Sequence, residues 1–217
     1  IRHHGYDVDY GHLLNQASIL SLASLLRPKE EDGPTPAPPE LLTEPIPLTG
    51  PQVIWAKLEQ QGWGSWSNIS ICVSMPADSI PAAYLPTIAQ SLCDVNDAMR
   101  MALLPSQTMG GEMSQRVLPG FQLPVEMSEA PGVERDAMRL IETFEGKEVS
   151  PHEPSTRALV LASNGSDGRH WLCITMHHIF ADRVAMNSLA SQLVQMITHH
   201  ELRVSQPREV GYLDYAQ

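Results

Sequence analysis

Two short apolar segments separated by a glycine-containing turn constrain the fold of this chain most. Residues 157–162 and 171–176 are rich in branched and aromatic side chains, and Asn-Gly and Asp-Gly dipeptides lie between them. Such dipeptides favour the tight turn of an antiparallel hairpin. Apolar residues then recur at helical spacing in residues 186–197. The sequence therefore predicts a hairpin followed by an amphipathic helix.

Helical and strand patterns are mixed in the preceding part of the chain. The predicted helices cover residues 50–61, 85–99 and 133–144, and the predicted strands cover residues 66–75, 112–118 and 122–127. This order differs from the regular strand and helix alternation of a parallel sheet. We therefore expect an α/β fold in which a mixed sheet is flanked by helices.

The first part of the chain differs in composition from the rest. Apolar residues recur at helical spacing in residues 1–27, which predicts a short helical segment. Residues 28–45 are rich in proline, which favours an extended linker over packed structure. We therefore expect a helical piece in residues 1–27, a linker in residues 28–45 and a main domain in residues 46–217.

Composition and charge exclude several classes of protein. The 217 residues carry a formal net charge of −11 with only 14 basic residues, which disfavours a nucleic-acid partner. No apolar run approaches the roughly 18 residues that span a bilayer, so we expect no membrane segment. The three cysteines are far apart and suggest no disulfide framework. These features predict a cytoplasmic location.

The segment His-His-Ile-Phe-Ala-Asp, residues 177–182, lies between the second predicted hairpin strand and the last predicted helix. Neighbouring side chains of a strand point to opposite faces, so only one of His177 and His178 can face a given cleft. From the residues alone, Asp182 could be the N-cap of the helix. A metal site that combines Asp182 with one histidine is a further interpretation, although no third ligand stands at motif spacing.

Residues 177–182 also resemble the HHxxxD motif of nonribosomal peptide synthetase condensation domains and related chloramphenicol acetyltransferase-like acyltransferases. Three flanking segments support the resemblance. Residues 47–52 (PLTGPQ) resemble PLSxxQ, residues 154–157 (PSTR) resemble PLxR, and residues 212–216 (YLDYA) resemble YxDYAxW. Residues 46–217 thus resemble the amino-terminal lobe of a condensation domain.

The resemblance implies that an amide bond forms between a donor acyl or peptidyl thioester and an acceptor aminoacyl thioester. Phosphopantetheine arms of carrier domains would deliver both substrates, with no cofactor or metal bound directly by this chain. His178 would be catalytic, either as a base or by holding the transition state. His177 would support the motif, and Asp182 would form a buried structural ion pair with Arg157.

Residues 1–27 resemble the carboxyl-terminal end of a peptidyl carrier domain, whose phosphopantetheine-bearing serine would lie upstream of Ile1. The implied partners are an upstream donor carrier, a downstream acceptor carrier and a second lobe of the condensation domain. The reaction channel of the family lies between two lobes. We therefore expect the 217-residue chain to fold but to be inactive alone.

The sequence departs from the family pattern at two places. The motif usually continues DGxS, whereas Arg183 and Ala185 replace the glycine and the serine, and Arg183 could narrow the substrate channel. The RHExLR segment is reduced to residues 95–100, which keep only Asp97 and Arg100. Two alternatives stay open: an epimerization domain, which transfers a proton at an α-carbon, and a non-catalytic recruitment domain on the same scaffold.

Overall fold

The computed structural model describes residues 6–7, 27–28, 45–62, 67–104, 113–152, 155–165 and 168–199. The chain divides into two compact units, Ile1–Glu40 and Leu41–Gln217. In the first unit, strands β1 (Tyr6–Asp7) and β2 (Arg27–Pro28) pair antiparallel. These few residues are extended instead of helical. The rest of the predicted helical segment, most of the predicted linker and the whole YLDYA segment lie outside the described residues.

The second unit contains the helices and strands that the sequence patterns predict. Its elements in chain order are β3 (Ile46–Pro47), α1 (Gly50–Gln60), β4 (Asn68–Pro76), α2 (Leu85–Val95), β5 (Met101–Leu104), β6 (Ser114–Val117), β7 (Val125–Glu129), α3 (Glu134–Glu145), β8 (Thr156–Ala162), β9 (Arg169–His177) and α4 (Arg183–His199).

Strand β5 was not predicted, because its four apolar residues carry no alternation. The second predicted helix ends earlier than expected, since α2 stops at Val95 and a 3₁₀ turn, Asp97–Arg100, leads into β5. Strand β3, of two residues, and strand β5, of four residues, both pair with β6. They form an antiparallel sheet in the order β3-β6-β5.

The larger sheet has the strand order β4-β9-β8-β7. Strands β8 and β9 are the predicted hairpin, and β9 also pairs antiparallel with β4 along nine residue pairs. Strand β7 joins the other side of β8 in parallel. The sheet is therefore mixed, as expected, and β9 lies in its interior.

Helices cover both faces of this sheet. Leu172, Ile174 and Met176 of β9 belong to one apolar cluster with residues of α2 and α4. Trp171 and Cys173 belong to a second cluster with residues of α3. Because side chains alternate along a strand, β9 can be apolar on both faces only if both are covered. This sandwich fixes β9 rigidly and so fixes the position of the residues that follow it.

Helices long and apolar enough to cross a membrane are absent from the described ranges.

Candidate functional site

The motif 177–182 begins at the last residue of β9 and ends where α4 starts. The His178 N–H donates to the Ser67 carbonyl at 2.6 Å, which extends the pairing with the β4 side by one residue beyond the strand. The Phe180 N–H then donates to the His177 carbonyl at 3.1 Å, which closes a tight turn. The turn therefore presents His178 at the end of a strand that is buried on both faces.

His177 is completely buried, and both of its ring nitrogens have partners. Nδ1 accepts a hydrogen bond from the Ile179 N–H at 3.1 Å. A backbone N–H can only donate, so the imidazole proton of the neutral ring lies on Nε2 and is donated to Glu59 Oε2 at 3.1 Å. Burial lowers the pKa of His177, and Glu59 partly opposes this effect. His177 is therefore a neutral structural group that ties the turn to α1.

His178 has a different environment. Its ring is half-buried and stacks on the Trp55 ring with centroids 4.3 Å apart and an interplanar angle of 18°. Its Nδ1 atom is buried and has no hydrogen-bond partner among the residues that the structure describes. Nδ1, and not Nε2, is thus the buried ring nitrogen without a partner.

Arg157 and Asp182 do not form the predicted ion pair, so that prediction is wrong. Asp182 is exposed, and its Oδ1 accepts a hydrogen bond from the Ala185 N–H at 2.8 Å. This is the geometry of an N-cap, which the sequence had left open for Asp182. Asp182 thus supports the motif by starting α4.

Arg157 instead binds the carboxyl end of α3. Its guanidinium donates to the carbonyl oxygens of Phe144, at 2.7 Å, and of Lys147, and its carbon Cζ lies 4.7 Å from the centre of the Phe144 ring. A cation is favourable there, because the last carbonyls of a helix are unpaired and carry partial negative charge. The reason for the wrong prediction is strand geometry: Arg157 points to the α3 face of the sheet, whereas α4 packs on the opposite face.

The PLTGPQ segment contributes Gln52, the third residue of α1, to the same turn. Its Nε2 donates to the Ile179 carbonyl at 3.2 Å and to Gln115 Oε1 at 2.7 Å. Gln115 in turn donates to the Pro47 carbonyl at 3.0 Å. Gln52 is buried. The resemblance to the family's opening segment therefore marks a residue that contacts the HHxxxD turn directly.

The two segments that depart from the family pattern differ in burial. Arg183 is the exposed first residue of α4, beside the cap residue Asp182. Asp97 and Arg100, the two residues kept from the RHExLR segment, form a buried ion pair at 2.7 Å. The two residues that the sequence retains from that segment thus contact each other.

Trp55 and Glu59 were not singled out from the sequence. Glu59 lies 118 residues from His177, so no local spacing connects them. One signal existed: Gln52 and Glu59 are polar residues at helical spacing from Trp55, on a helix whose inner side would ordinarily be apolar. A group of three or more His, Cys, Asp or Glu side chains that could hold a metal is absent from the described segments.

Solved condensation domains have the same fold as this chain. The starter condensation domain of rhizomide synthetase matches with a TM-score of 0.64 and 16% identity, over 80% of this chain and 42% of that one. The first condensation domain of the CDA synthetase matches with a TM-score of 0.63 and 15% identity, over 80% and 44%. A condensation domain for chain release from the enacyloxin polyketide synthase gives 0.64 and 17%, over 86% and 36%. These similarities confirm the expected mixed α/β lobe.

The sequence profile of the Condensation domain family matches residues 43–217. The chain therefore belongs to the condensation domain family, which confirms the resemblance based on the motifs. Tyrocidine synthase 3 of Brevibacillus parabrevis is 26% identical over 208 residues, which cover 94% of this chain and 3% of that synthase. The chain thus spans a small part of this relative and less than half of each solved chain described above.

Proposed function

We propose that the second unit is the amino-terminal lobe of a nonribosomal peptide synthetase condensation domain that forms amide bonds, with His178 as its catalytic residue. The observation that carries the proposal is the half-buried ring of His178, stacked on Trp55 at the end of a buried strand and inside the range that matches the family profile. His177, Asp182 and Arg157 are proposed as structural supports. We also propose a carrier domain end in residues 1–27, a linker in residues 28–45 and a cytoplasmic location.

The proposed reaction joins two carrier-bound substrates. The amine of the acceptor attacks the carbonyl carbon of the donor thioester, and a carbon–nitrogen bond forms as the carbonyl oxygen gains negative charge. The intermediate then collapses, which breaks the carbon–sulfur bond and releases the donor arm as a thiol. The amine must lose one proton, and His178 Nε2 either accepts it for transfer to the thiolate or stabilises the cationic nitrogen. No cofactor needs to bind this chain, because each substrate arrives on a phosphopantetheine arm.

We propose that a second lobe completes the site. The chain spans 36–44% of the solved condensation domain chains to which it is similar. A reaction between two tethered substrates depends on holding both in one geometry and on limiting access of water. We therefore expect the 217-residue chain alone to be inactive with loaded donor and acceptor carriers, and activity to require the second lobe. We also propose that Arg183, exposed at the start of α4, narrows that channel.

Replacement of His178 tests the proposal. In the full-length protein, His178→Ala should lower the rate of amide formation by about 10²- to 10⁴-fold, the usual contribution of general acid-base assistance. Mass spectrometry of the carrier-bound product, at matched loading, measures this rate. His152→Ala is the control, because His152 is exposed. Equal rates in wild type and His178→Ala would remove His178 from the mechanism.

The same preparations separate the two alternatives. An epimerization domain would exchange the α-hydrogen of a carrier-bound residue with solvent deuterium and form no new amide. A recruitment domain would bind loaded carriers without either reaction. Product formation without α-hydrogen exchange is the result that we expect.

A further inference from the structure

We infer that helix α1 holds the His178 ring in its working orientation through one face, formed by Gln52, Trp55 and Glu59, which we call the clamp face. The inference rests on the proposed function, because it assigns to the clamp face the role of orienting the residue proposed as catalytic. Trp55 is the central positioning residue.

The three residues of the clamp face contact three consecutive residues of the turn. Glu59 accepts the hydrogen bond of His177 at 3.1 Å. Trp55 stacks on the ring of His178 with centroids 4.3 Å apart. Gln52 donates to the carbonyl of Ile179 at 3.2 Å. The helix and the turn therefore run past each other in opposite directions, with one contact for each residue.

The spacing along α1 makes this arrangement possible. Positions i, i+3 and i+7 of an α-helix lie within about 60° of arc, so all three side chains leave one side of the helix. On an ordinary buried helix face these positions would carry apolar residues. Here an amide, an indole and a carboxylate occupy them, and each meets a specific partner in the turn. The chemistry of this face thus matches the turn instead of a generic core.

The outer contacts fix the backbone on either side of His178. Glu59 and the Ile179 N–H together hold both ring nitrogens of His177, the residue before it. Gln52 holds the carbonyl of Ile179, the residue after it, and Gln115 holds Gln52 through a pair of amide hydrogen bonds at 2.7 and 2.8 Å. The Cα of His178 is therefore constrained from both directions, and only its side-chain torsions are left to be set.

Trp55 sets those torsions. The staggered rotamers of a histidine would otherwise carry its ring to several places. A near-parallel stack with an interplanar angle of 18° selects one of them. The indole also covers one face of the imidazole, which leaves Nε2 and the opposite face to the substrate. Since misplacement of a catalytic group by about 1 Å can cost about 10²-fold in rate, this orientation should matter for turnover.

The test compares three variants of α1. Trp55→Leu keeps an apolar side chain but removes the aromatic face, Trp55→Phe restores a smaller aromatic face, and Ile54→Ala is the control. Ile54 is the neighbouring residue on α1 and is 62% exposed, so its side chain lies away from the turn. The first measurement is the chemical shift of the His178 ring protons in the ¹H–¹³C NMR spectrum of the 217-residue chain. This shift depends on the stack, because the ring current of the indole shields protons that lie over its face. The absence of the signal in His178→Gln assigns it.

We expect Trp55→Leu to move the His178 ring-proton signal downfield, and Ile54→Ala to leave it in place. In the full-length protein, kcat for amide formation should fall by about 10- to 100-fold in Trp55→Leu, while KM for the loaded carriers changes by less than about twofold. Trp55→Phe should recover part of both the shift and the rate. Loss of folded protein would also lower the apparent kcat with KM unchanged, so each rate is divided by the folded fraction measured in the same NMR spectra.

An unchanged His178 signal or an unchanged kcat in Trp55→Leu would overturn the inference. If Trp55→Leu does not fold, Trp55→Phe decides: an intermediate shift and rate support the clamp face, and wild-type values for both overturn it. Failure of the proposed function gives a different result. In that case His178→Ala retains the wild-type rate, whatever the NMR signal shows.

Discussion

Acid should destabilise this fold through His177. The side chain is completely buried, donates from Nε2 to Glu59 and accepts at Nδ1 from a backbone N–H. Protonation would place a second proton on Nδ1, which faces that N–H, and would charge a ring that is removed from water. The pKa of His177 is accordingly lowered by burial, with smaller contributions of the same sign from His178 and His152 and an opposing contribution from Glu59.

The sign of the pH dependence follows from this direction. The unfolded chain takes up the proton near pH 6.5, the ordinary value for histidine, whereas the folded chain resists it to lower pH. The contribution of His177 to the free energy of unfolding is therefore fully present above about pH 6.5 and is lost as the pH falls below it. One such proton gives a slope of at most about 1.4 kcal/mol per pH unit, and the slope ends at the folded-state pKa.

Urea denaturation of the 217-residue chain between pH 5 and 8 measures this slope. His177→Gln is the informative variant, because glutamine cannot titrate but its amide can still donate to Glu59. Below about pH 6.5, the free energy of unfolding of this variant should depend less steeply on pH than that of wild type. The difference should approach the slope of about 1.4 kcal/mol per pH unit that one proton contributes. His152→Gln removes an exposed histidine as the control, and it should change the slope only slightly, because His152 contributes little to the lowered pKa of His177. If His177→Gln and wild type show parallel pH profiles, His177 is not the buried neutral group described above.

Two further predictions concern the sheet and its connections. Arg157→Ala should lower the free energy of unfolding by about 1.5 to 3 kcal/mol through lost charge-assisted hydrogen bonds, and Asp182→Ala by about 1 kcal/mol through the lost cap. The two losses should add within about 0.5 kcal/mol in the double variant, whereas a coupling above about 1 kcal/mol would restore the rejected ion pair. Cys72 and Cys173 are directly opposite each other in the β4–β9 ladder, and diamide should therefore link them within one chain. Mass spectrometry should show the loss of two hydrogens in wild type and none in Cys72→Ser, and an unlinked wild type would contradict this register.

Much of the fold follows from local patterns in the sequence. The hairpin of β8 and β9 follows from two apolar segments and a glycine-containing turn, and α4 follows from apolar spacing. These elements depend on neighbours in the chain, so a local pattern suffices to predict them. Strand β5 has only four residues and forms because β6 offers it a partner. Pairing with a strand ten residues away in the chain leaves no periodic signal in so short a segment.

The supports of the site are less accessible to such reasoning. The family motifs identified His177, His178, Asp182 and Arg157 as residues of the lobe. The pairing of Arg157 with Asp182 that the resemblance implied is wrong, and no partner was predicted for either histidine. The partners of Arg157 are backbone carbonyls at the end of α3, and a carbonyl carries no sequence signature. A carboxylate such as Asp182 is the partner that charge alone would suggest, yet alternation along β8 turns Arg157 away from α4. The alternation of side chains along β8 therefore decides whether Arg157 pairs with Asp182 or with the carbonyls at the end of α3.

The position of α1 explains why a segment far from the motif in sequence belongs to the same site. The His178 ring could not be held by β9 alone, because His178 lies one residue beyond the strand and its backbone hydrogen bond to Ser67 does not fix its side-chain torsions. Support must then come from another element, and a helix can supply it at intervals of about 5 Å, close to one turn of its pitch. The backbone of residues 177–179 advances by a similar distance over one to two residues. Each turn of helix α1 can therefore contact a different residue of this segment. A polar or aromatic residue on each turn of one helix face is thus the sequence pattern that this kind of support requires, and Gln52, Trp55 and Glu59 have it.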